Sequence, residues 1–136
     1  MTMGASMITV EWYTSLRELI AGLMKNMFSG LDYSVTAVIA ASTAQLLLDV
    51  WPFVAVLVTR GVIQLLNGLI VLTICAVLWP NARSLRLSRW LCLAFPLATV
   101  LFVYILLKST WITLANDGIE WRGTHYSLEQ LRANKV

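Results

Sequence analysis

Three long apolar runs, at about residues 34–58, 62–79 and 90–114, constrain this chain more than any other feature. A helix needs about 20 consecutive apolar residues to cross the hydrocarbon core of a bilayer, and each run is close to or above that length. Across the chain, 59% of the residues are hydrophobic and 12% are charged, whereas a soluble domain is nearer half apolar and a quarter charged. The sequence therefore predicts an all-α integral membrane protein with three transmembrane helices within residues 34–115, and it argues against a soluble enzyme.

The segment before these runs, residues 1–33, contains a helical pattern with apolar residues on one face and charged residues on the others. Its apolar residues recur at steps of three and four, at Leu16, Leu19, Ile20, Leu23, Met24, Met27, Phe28 and Leu31. That spacing places them on one helical face, and Ser15 followed by Glu18 matches a capping box. The helix carries too many charges to span a bilayer, so we expect it to lie in the membrane interface. Packing against a soluble core is the alternative.

The connection after the second run contains Arg83, Arg86 and Arg89 and no acidic residue. By the positive-inside rule this Arg83–Arg89 loop is predicted to be cytoplasmic, and we expect the bacterial inner (cytoplasmic) membrane. With three complete crossings, the N-terminal helix is also cytoplasmic and the C-terminal tail lies outside. A re-entrant segment, for which the break at residues 49–52 is one candidate, would move the tail to the cytoplasm.

The tail, residues 116–136, has the pattern of a small folded unit. Gly118 can adopt the left-handed conformation that ends many helices, so the third helix is expected to stop there. Residues 119–121 and 124–126 can pair as a short hairpin-like turn. Ser127, with a glutamine three residues later, predicts the capped start of a last short helix.

A few polar residues interrupt the apolar runs. Gln45 and Asp49 share a face of the first helix, and Arg60, Gln64 and Asn67 share a face of the second. Ionisable groups inside a bilayer are costly unless they are paired or close to water. One interpretation is a polar groove that holds a lipid headgroup. The other, which we favour, is hydrogen bonding between helices that stabilises the bundle.

No catalytic or metal-binding motif is visible in the sequence. It has no paired-carboxylate motif for a metal and nucleotide phosphate, no glycine-rich phosphate loop, and no GxSxG or HExxH pattern. Cys75 and Cys92 are interpreted as small buried hydrophobic residues, and His125 lacks a second ligand at metal spacing. We therefore expect no cofactor, no metal and no catalysis by this chain alone. The basic residues are dispersed between apolar runs, which indicates contact with lipid headgroups and no nucleic acid.

Two pairs of segments have distinctive sequences. Residues 12–20 read WYTSLRELI and residues 22–28 read GLMKNMF; near the end, residues 117–128 read DGIEWRGTHYSL and residues 131–134 read LRAN. The first pair resembles the region after the catalytic domain of membrane-bound family 2 glycosyltransferases. The second pair resembles the Gly-Ile-x-Trp-Arg-Gly-x-x-Tyr-x-Leu signature that closes many of them. With the three apolar runs between them, the resemblance covers nearly the whole chain.

This resemblance implies an acceptor-side membrane module. In that family a cytoplasmic nucleotide-sugar domain precedes the spans and carries the catalytic aspartates, and the membrane part holds a lipid acceptor near the interface. The catalytic domain is missing from this chain, so only the membrane part carries over. The motif positions, and hence the implied lipid or acceptor contacts, are Lys25, Asn26, Trp121, Arg122 and Tyr126. Lys25 or Arg122 would meet a lipid phosphate, to which the planar fork of donors on arginine is suited.

Two functional hypotheses follow from the resemblance. The first is a non-catalytic module that anchors and positions a lipid acceptor for a separate catalytic chain. The alternative is an accessory subunit, recruited to a larger and unrelated integral membrane complex. Both predict the lipid bilayer and a larger membrane protein as partners. A third interpretation is a gene fragment without a function of its own.

Overall fold

The computed structural model describes residues 15–84, 90–121 and 123–133. Most of these residues are helical, and three helices are long and apolar enough to cross a membrane, as predicted. A two-stranded sheet is also present, so the all-α prediction is only approximate. The helices are α1 (Leu16–Asn26), α2 (Val35–Gln45), α3 (Trp51–Val58), α4 (Val62–Ser84), α5 (Leu91–Ala115) and α6 (Leu128–Arg132), and the strands are β1 (Gly118–Trp121) and β2 (Thr124–Ser127).

The amphipathic helix α1 begins at a side-chain cap. The Ser15 hydroxyl accepts a hydrogen bond from the backbone N–H of Glu18, at 3.2 Å, which satisfies one of the unpaired donors at the helix start. A 3-10 turn (Ser29–Leu31) and two residues with positive φ, Asp32 and Tyr33, then lead into the first span. This junction separates the amphipathic helix from the apolar one within a few residues.

The first span is continuous from Val35 to Val58. α2 passes into a π-helical turn (Leu46–Val50), and α3 follows it directly. The widened turn precedes Pro52, which has no N–H to donate and whose ring would clash with the preceding turn of a regular α-helix. The helix therefore continues through residues 49–52, where the sequence offered a candidate re-entrant break.

The helix α4 extends beyond its predicted end. It continues through Pro80 to Ser84, although the sequence predicts an end at residue 79. A proline inside a helix removes one backbone hydrogen bond, and the side chain of Asn81 donates to a carbonyl one turn earlier, at 2.9 Å. In an apolar environment, pairing of the remaining backbone groups favours continued helix. Of the predicted loop, Arg86 and Arg89 lie outside the described residues.

The core lies where both end segments meet the membrane helices. Phe28 after α1, Val38 in α2, Leu106 in α5 and Leu128 in α6 form one buried cluster. Tyr33 packs against it, with its ring 5.4 Å from that of Phe28 in an edge-on arrangement. α5 packs against α1 and the first span, whereas α4 packs mainly against α3. The helix α5 is therefore central and α4 is peripheral.

The strands β1 and β2 form the predicted hairpin. The antiparallel register pairs Gly118 with Ser127, Ile119 with Tyr126, Glu120 with His125 and Trp121 with Thr124. Ser127 then caps α6, and both hydrogen bonds of the predicted capping box with Gln130 are present. The tail is thus a folded unit that follows directly from local sequence signals.

The end of α5 differs from the prediction. The left-handed residue is Asp117, with φ 50°, and not Gly118. Gly118 is needed for a different reason, because its φ is 148° and an added Cβ would collide with the backbone carbonyl of Tyr126. Asp117 can occupy the left-handed region because a short polar side chain bonds locally there. The glycine instead permits the close approach of the two strands.

Candidate functional site

An apolar groove lies between α2 and the C-terminal half of α5, next to the core. Its volume is about 500 Å³, within the range of about 300–1,000 Å³ that is typical of ligand pockets. The side chains that line it are Val35, Val38, Ile39, Tyr104, Leu107, Lys108, Thr110, Trp111 and Leu114. Most of this lining is apolar, so the groove suits a hydrocarbon chain.

Helical periodicity explains how the two walls of the groove arise. On α5, Tyr104, Lys108 and Trp111 recur at steps of four and three, which places them on one face. On α2, Val35 and Ile39 are four residues apart and face the same space. Each helix therefore contributes a single stripe, and the groove needs both helices to be complete.

Lys108 supplies the charge of this groove. Its ammonium group lies 5.6 Å from the centre of the Tyr104 ring, a distance at which a cation and an aromatic ring attract each other. Lys108 lies seven residues before the end of α5, about 10 Å along the helix axis, and its ammonium lies against Tyr104, one turn farther from that end. A charge inside an apolar helix is costly unless it has a partner or water. The groove therefore favours a ligand with a negative group.

Lys108 is a residue that the sequence reasoning missed. It is the only charged residue between residues 91 and 115. An isolated ionisable group in an apolar span is itself an indication of function, so a signal was available. The other groove residues have no such signal, because a lipid-facing leucine and a groove-lining leucine look the same in sequence.

The hydroxyl group of Thr110 is already used within its helix. Its Oγ1 donates to the Leu106 carbonyl at 2.9 Å. A threonine bonded in this way presents mainly its methyl group to the groove. Lys108 thus carries the strongest polar interaction that a ligand could find there.

The polar residues predicted on the second helix bond to nearby backbone. Gln64 donates through Nε2 to the Val56 carbonyl, at 2.9 Å, across the turn between α3 and α4. Asn67 donates through Nδ2 to the Ile63 carbonyl of its own helix, at 2.8 Å. The first of these bonds joins two helices, as the favoured interpretation expects, but its acceptor is a backbone carbonyl.

The remaining intramembrane polar residues are spread along the bundle. Gln45 is half-buried, and its Oε1 has no hydrogen-bond partner among the described residues. Asp49 is half-buried in the π turn, and Arg60 is exposed after α3. No hydrogen bond within residues 15–84 joins the Gln45 and Asp49 pair to the polar residues of α4. The structure therefore does not bring this set together as one headgroup site.

The two ends that carry the glycosyltransferase resemblance meet at the core. Asn26 is exposed at the end of α1, two residues before the buried Phe28. Tyr126 is half-buried in β2, two residues before the buried Leu128. Because Phe28 and Leu128 belong to one buried cluster, these two motif positions lie close in sequence to the same cluster, at the junction between α1 and the first span.

The other motif positions are described in part. Lys25 belongs to the last turn of α1, and Trp121 ends β1. Arg122 and the motif residues before Ser15 lie outside the described residues. The backbone therefore places Lys25 at the junction and Trp121 in the hairpin.

Arg132 fixes the tail to the start of the first span. Its Nε and Nη2 both donate to the Tyr33 carbonyl, at 3.3 and 3.1 Å. The backbone N–H of Leu128 donates to the Asp117 carbonyl, at 3.0 Å, and so ties α6 to the end of α5. The lining of the groove reaches this same end, at Val35 in α2 and Leu114 in α5. A ligand headgroup at the groove would lie close to both α1 and the tail.

Neither a metal centre nor a relative adds to this description. Among the described residues, no group of three His, Cys, Asp or Glu side chains could hold a metal ion. His125 is exposed and stands opposite Glu120 in the hairpin. Comparison of the chain with protein-family models, with curated proteins and with solved structures gives no match.

Proposed function

We propose that this chain is a non-catalytic membrane module that anchors and positions a lipid acceptor for a separate catalytic chain. The observation that carries the proposal is the groove between α2 and α5 with Lys108 in its wall. The glycosyltransferase resemblance supports it, because Phe28 and Leu128 of the resembling end segments pack in one cluster with Val38, which also lines that groove. The proposed partners are the lipid bilayer and a larger membrane-bound catalytic protein.

The groove offers complementary contacts to the two parts of an anionic lipid. Its valine, isoleucine and leucine side chains match an acyl or isoprenoid chain. The Lys108 ammonium offers a compact charge with three donors for a phosphate oxygen. A neutral lipid would fill the same groove but would leave this charge without a partner, so the site discriminates by headgroup charge.

The position of the groove determines where a catalytic partner would act. Its lining reaches Val35, two residues after Tyr33, whose carbonyl binds Arg132 of the tail. A headgroup held there is at the edge of the bilayer, within reach of a protein that approaches from the membrane surface. Nucleotide sugars are cytoplasmic in the resembling family, so the proposal puts this junction at the cytoplasmic face of a bacterial inner membrane. Lys25 and Arg122 are proposed to contact the acceptor there.

Lipid retention with matched variants tests the lipid site. The chain is reconstituted in phosphatidylcholine nanodiscs that contain phosphatidic acid or, as the uncharged counterpart, diacylglycerol. We expect photo-crosslinking of phosphatidic acid to α5 to exceed that of diacylglycerol. Lys108→Gln should lower the phosphatidic acid signal about tenfold, which corresponds to a loss of about 1.4 kcal/mol. Lys108→Arg should retain most of it.

The control for this experiment is another exposed cation of the same chain. Arg60→Gln removes a positive charge at the turn after α3, away from the groove. If Arg60→Gln lowered the phosphatidic acid signal as much as Lys108→Gln, the lipid would be attracted by overall charge, and the groove would not be its site.

An accessory subunit of an unrelated membrane complex is the second candidate function. It is favoured by α4, which has no buried side chain from Val62 to Asn81 and which could lie against a larger protein. Isolation from the native membrane in mild detergent separates the two candidates. A stoichiometric partner with an aspartate-rich nucleotide-sugar domain supports the lipid-acceptor module. A stoichiometric partner of another kind supports the accessory subunit.

A further inference from the structure

We infer that the α1 junction and the C-terminal tail lie on the same face of the membrane, and that α4 lies obliquely near the opposite face without crossing the bilayer. The chain then crosses twice, through the first span and α5. This inference does not depend on the proposed lipid function, because it rests on how the helices and the tail pack.

The first span and α5 run in opposite directions. Val35, at the start of the first span, lines the groove together with Leu114, at the end of α5. Val38, one turn into the first span, likewise shares the buried cluster with Leu106, in the C-terminal half of α5. Two antiparallel helices that both cross a bilayer have the start of one and the end of the other on one face. The end of α5 is therefore on the same face as the start of the first span.

The tail contacts confirm this pairing of ends. Arg132 binds the Tyr33 carbonyl through two donors, and Leu128 shares the buried cluster with Phe28. Tyr33 and Phe28 precede the first span, whereas Arg132 and Leu128 follow α5. Polar segments on opposite faces would be separated by a hydrocarbon core of about 30 Å, which excludes such contacts.

With these two crossings fixed, α4 has to begin and end near the same face. Cys75, in the middle of α4, lies near Cys92, at the start of α5, and the two helices pack against each other. If α4 crossed the bilayer and α5 returned directly, Cys92 would instead lie beside the last turn of α4. The contact with Cys75 shows that α5 begins well before the level at which a crossing α4 would end.

This arrangement separates the basic residues between the two faces. Five Lys or Arg residues belong to the α1 segment and the tail, and four belong to the turn at Arg60 and the Arg83–Arg89 loop. The numbers are nearly balanced, so the loop alone does not determine orientation. With the junction cytoplasmic, the loop lies outside, contrary to the prediction from its own charge.

Cysteine accessibility tests the inference directly. In a chain with Cys75→Ala and Cys92→Ala, single cysteines are introduced as Gly30→Cys, Arg60→Cys and Thr124→Cys, all at exposed positions. A membrane-impermeant maleimide is applied to right-side-out and to inverted vesicles. We expect Gly30→Cys and Thr124→Cys to react in the same vesicle orientation and Arg60→Cys to react in the other. The orientation in which they react also assigns the cytoplasmic face.

Two outcomes would overturn the inference. Reaction of Thr124→Cys in the orientation opposite to Gly30→Cys would mean that α4 crosses the bilayer completely. Reaction of all three in one orientation would mean that the first span does not cross. The unmodified chain gives an independent measurement: a membrane-permeant oxidant should link Cys75 to Cys92, detected by mass spectrometry as loss of both free thiols. Two thiols that remain free under oxidation would contradict the placement of α4.

Discussion

The helices α4 and α5 are similar in length and apolarity but differ in packing. One side of α5 is buried along a seam that repeats every seven residues, at Cys92, Thr99, Leu106 and Thr113. From Val62 to Asn81, α4 has no buried side chain. Apolar composition therefore predicts that both helices enter the membrane, but it does not predict which of them organises the bundle.

The difference arises from the residues on the packed face. Hydrophobic burial does not favour helix association in lipid, so close packing of small side chains and hydrogen bonds takes its place. The buried face of α5 includes the small hydroxyl residues Thr99, Ser109, Thr110 and Thr113. On α4 the small residues Gly68, Thr73 and Ala76 are not buried, and the Thr73 hydroxyl bonds to its own helix. The seven-residue seam is thus a better guide to packing than hydropathy.

The largest expected effect is that of a glycine substitution at the end of the packed helix α5, compared with one at the start of α4. Gly118→Ala places a Cβ against the Tyr126 carbonyl, at a φ of 148° that is essentially restricted to glycine. We expect a loss of about 3 kcal/mol and release of the tail, measured as rapid proteolysis after residue 118 in reconstituted vesicles. Gly61→Ala also has a positive φ, of 68°, but open space around it, so it should cost about 1 kcal/mol. Equal tail proteolysis in both variants would contradict the strand contact as the cause.

Two leucine truncations compare the packed and the peripheral helix. Leu106, in α5, is 2% exposed, and Leu65, in α4, is 66% exposed. Leu106→Ala leaves a cavity in the core cluster and should lower the free energy of unfolding by about 2 kcal/mol. Leu65→Ala should change it by no more than about 0.5 kcal/mol. Equilibrium unfolding in mixed micelles measures both values. Similar losses would mean that α4 is packed against protein, for example in an oligomer.

The smallest expected effect concerns the bond that fixes the tail. Arg132→Ala removes two hydrogen bonds to the Tyr33 carbonyl at an exposed site and should cost about 1 kcal/mol. Arg60→Ala removes another exposed cation, at the turn beside α4, and serves as the control. Protease sensitivity of α6 should rise about fivefold in the first variant and stay unchanged in the second, given that 1.4 kcal/mol is a factor of ten. If the protease sensitivity of α6 were unchanged in Arg132→Ala, the packing of Leu128 would be the main attachment of α6.

Local features of this fold could be predicted from the sequence. Helical periodicity and capping residues report on neighbours along the chain, which is why α1, the hairpin register and the cap at Ser127 follow from them. The π turn before Pro52 and the continuation of α4 through Pro80 could not be predicted, because a proline can end a helix, kink it or be accommodated within it. The choice between them depends on the need of the surrounding backbone to remain paired in an apolar medium.

Most of the candidate site could not be predicted, because the groove and the docked tail are formed by residues that are far apart in the sequence. Lys108 had a local signal, since it is a single charge in an apolar helix. The groove itself requires Val35 and Leu114 to line the same space, and no periodicity in either helix indicates its partner. The docking of the tail on Tyr33 is of the same kind. The motif positions Asn26 and Tyr126 were chosen by resemblance, and the structure places both of them beside that junction.

The bond between Arg132 and Tyr33 joins residues that are 99 positions apart, and this separation affects the order of assembly. Ribosomes add about 5–20 residues per second, so the start of the first span waits roughly 5–20 s for the arginine that will bind it. During that time the cluster around Phe28 has no Leu128 to cover it. The helix α6 therefore completes a part of the molecule that was synthesised well before it, and a chain truncated before α6 would present an open apolar surface to chaperones and membrane proteases.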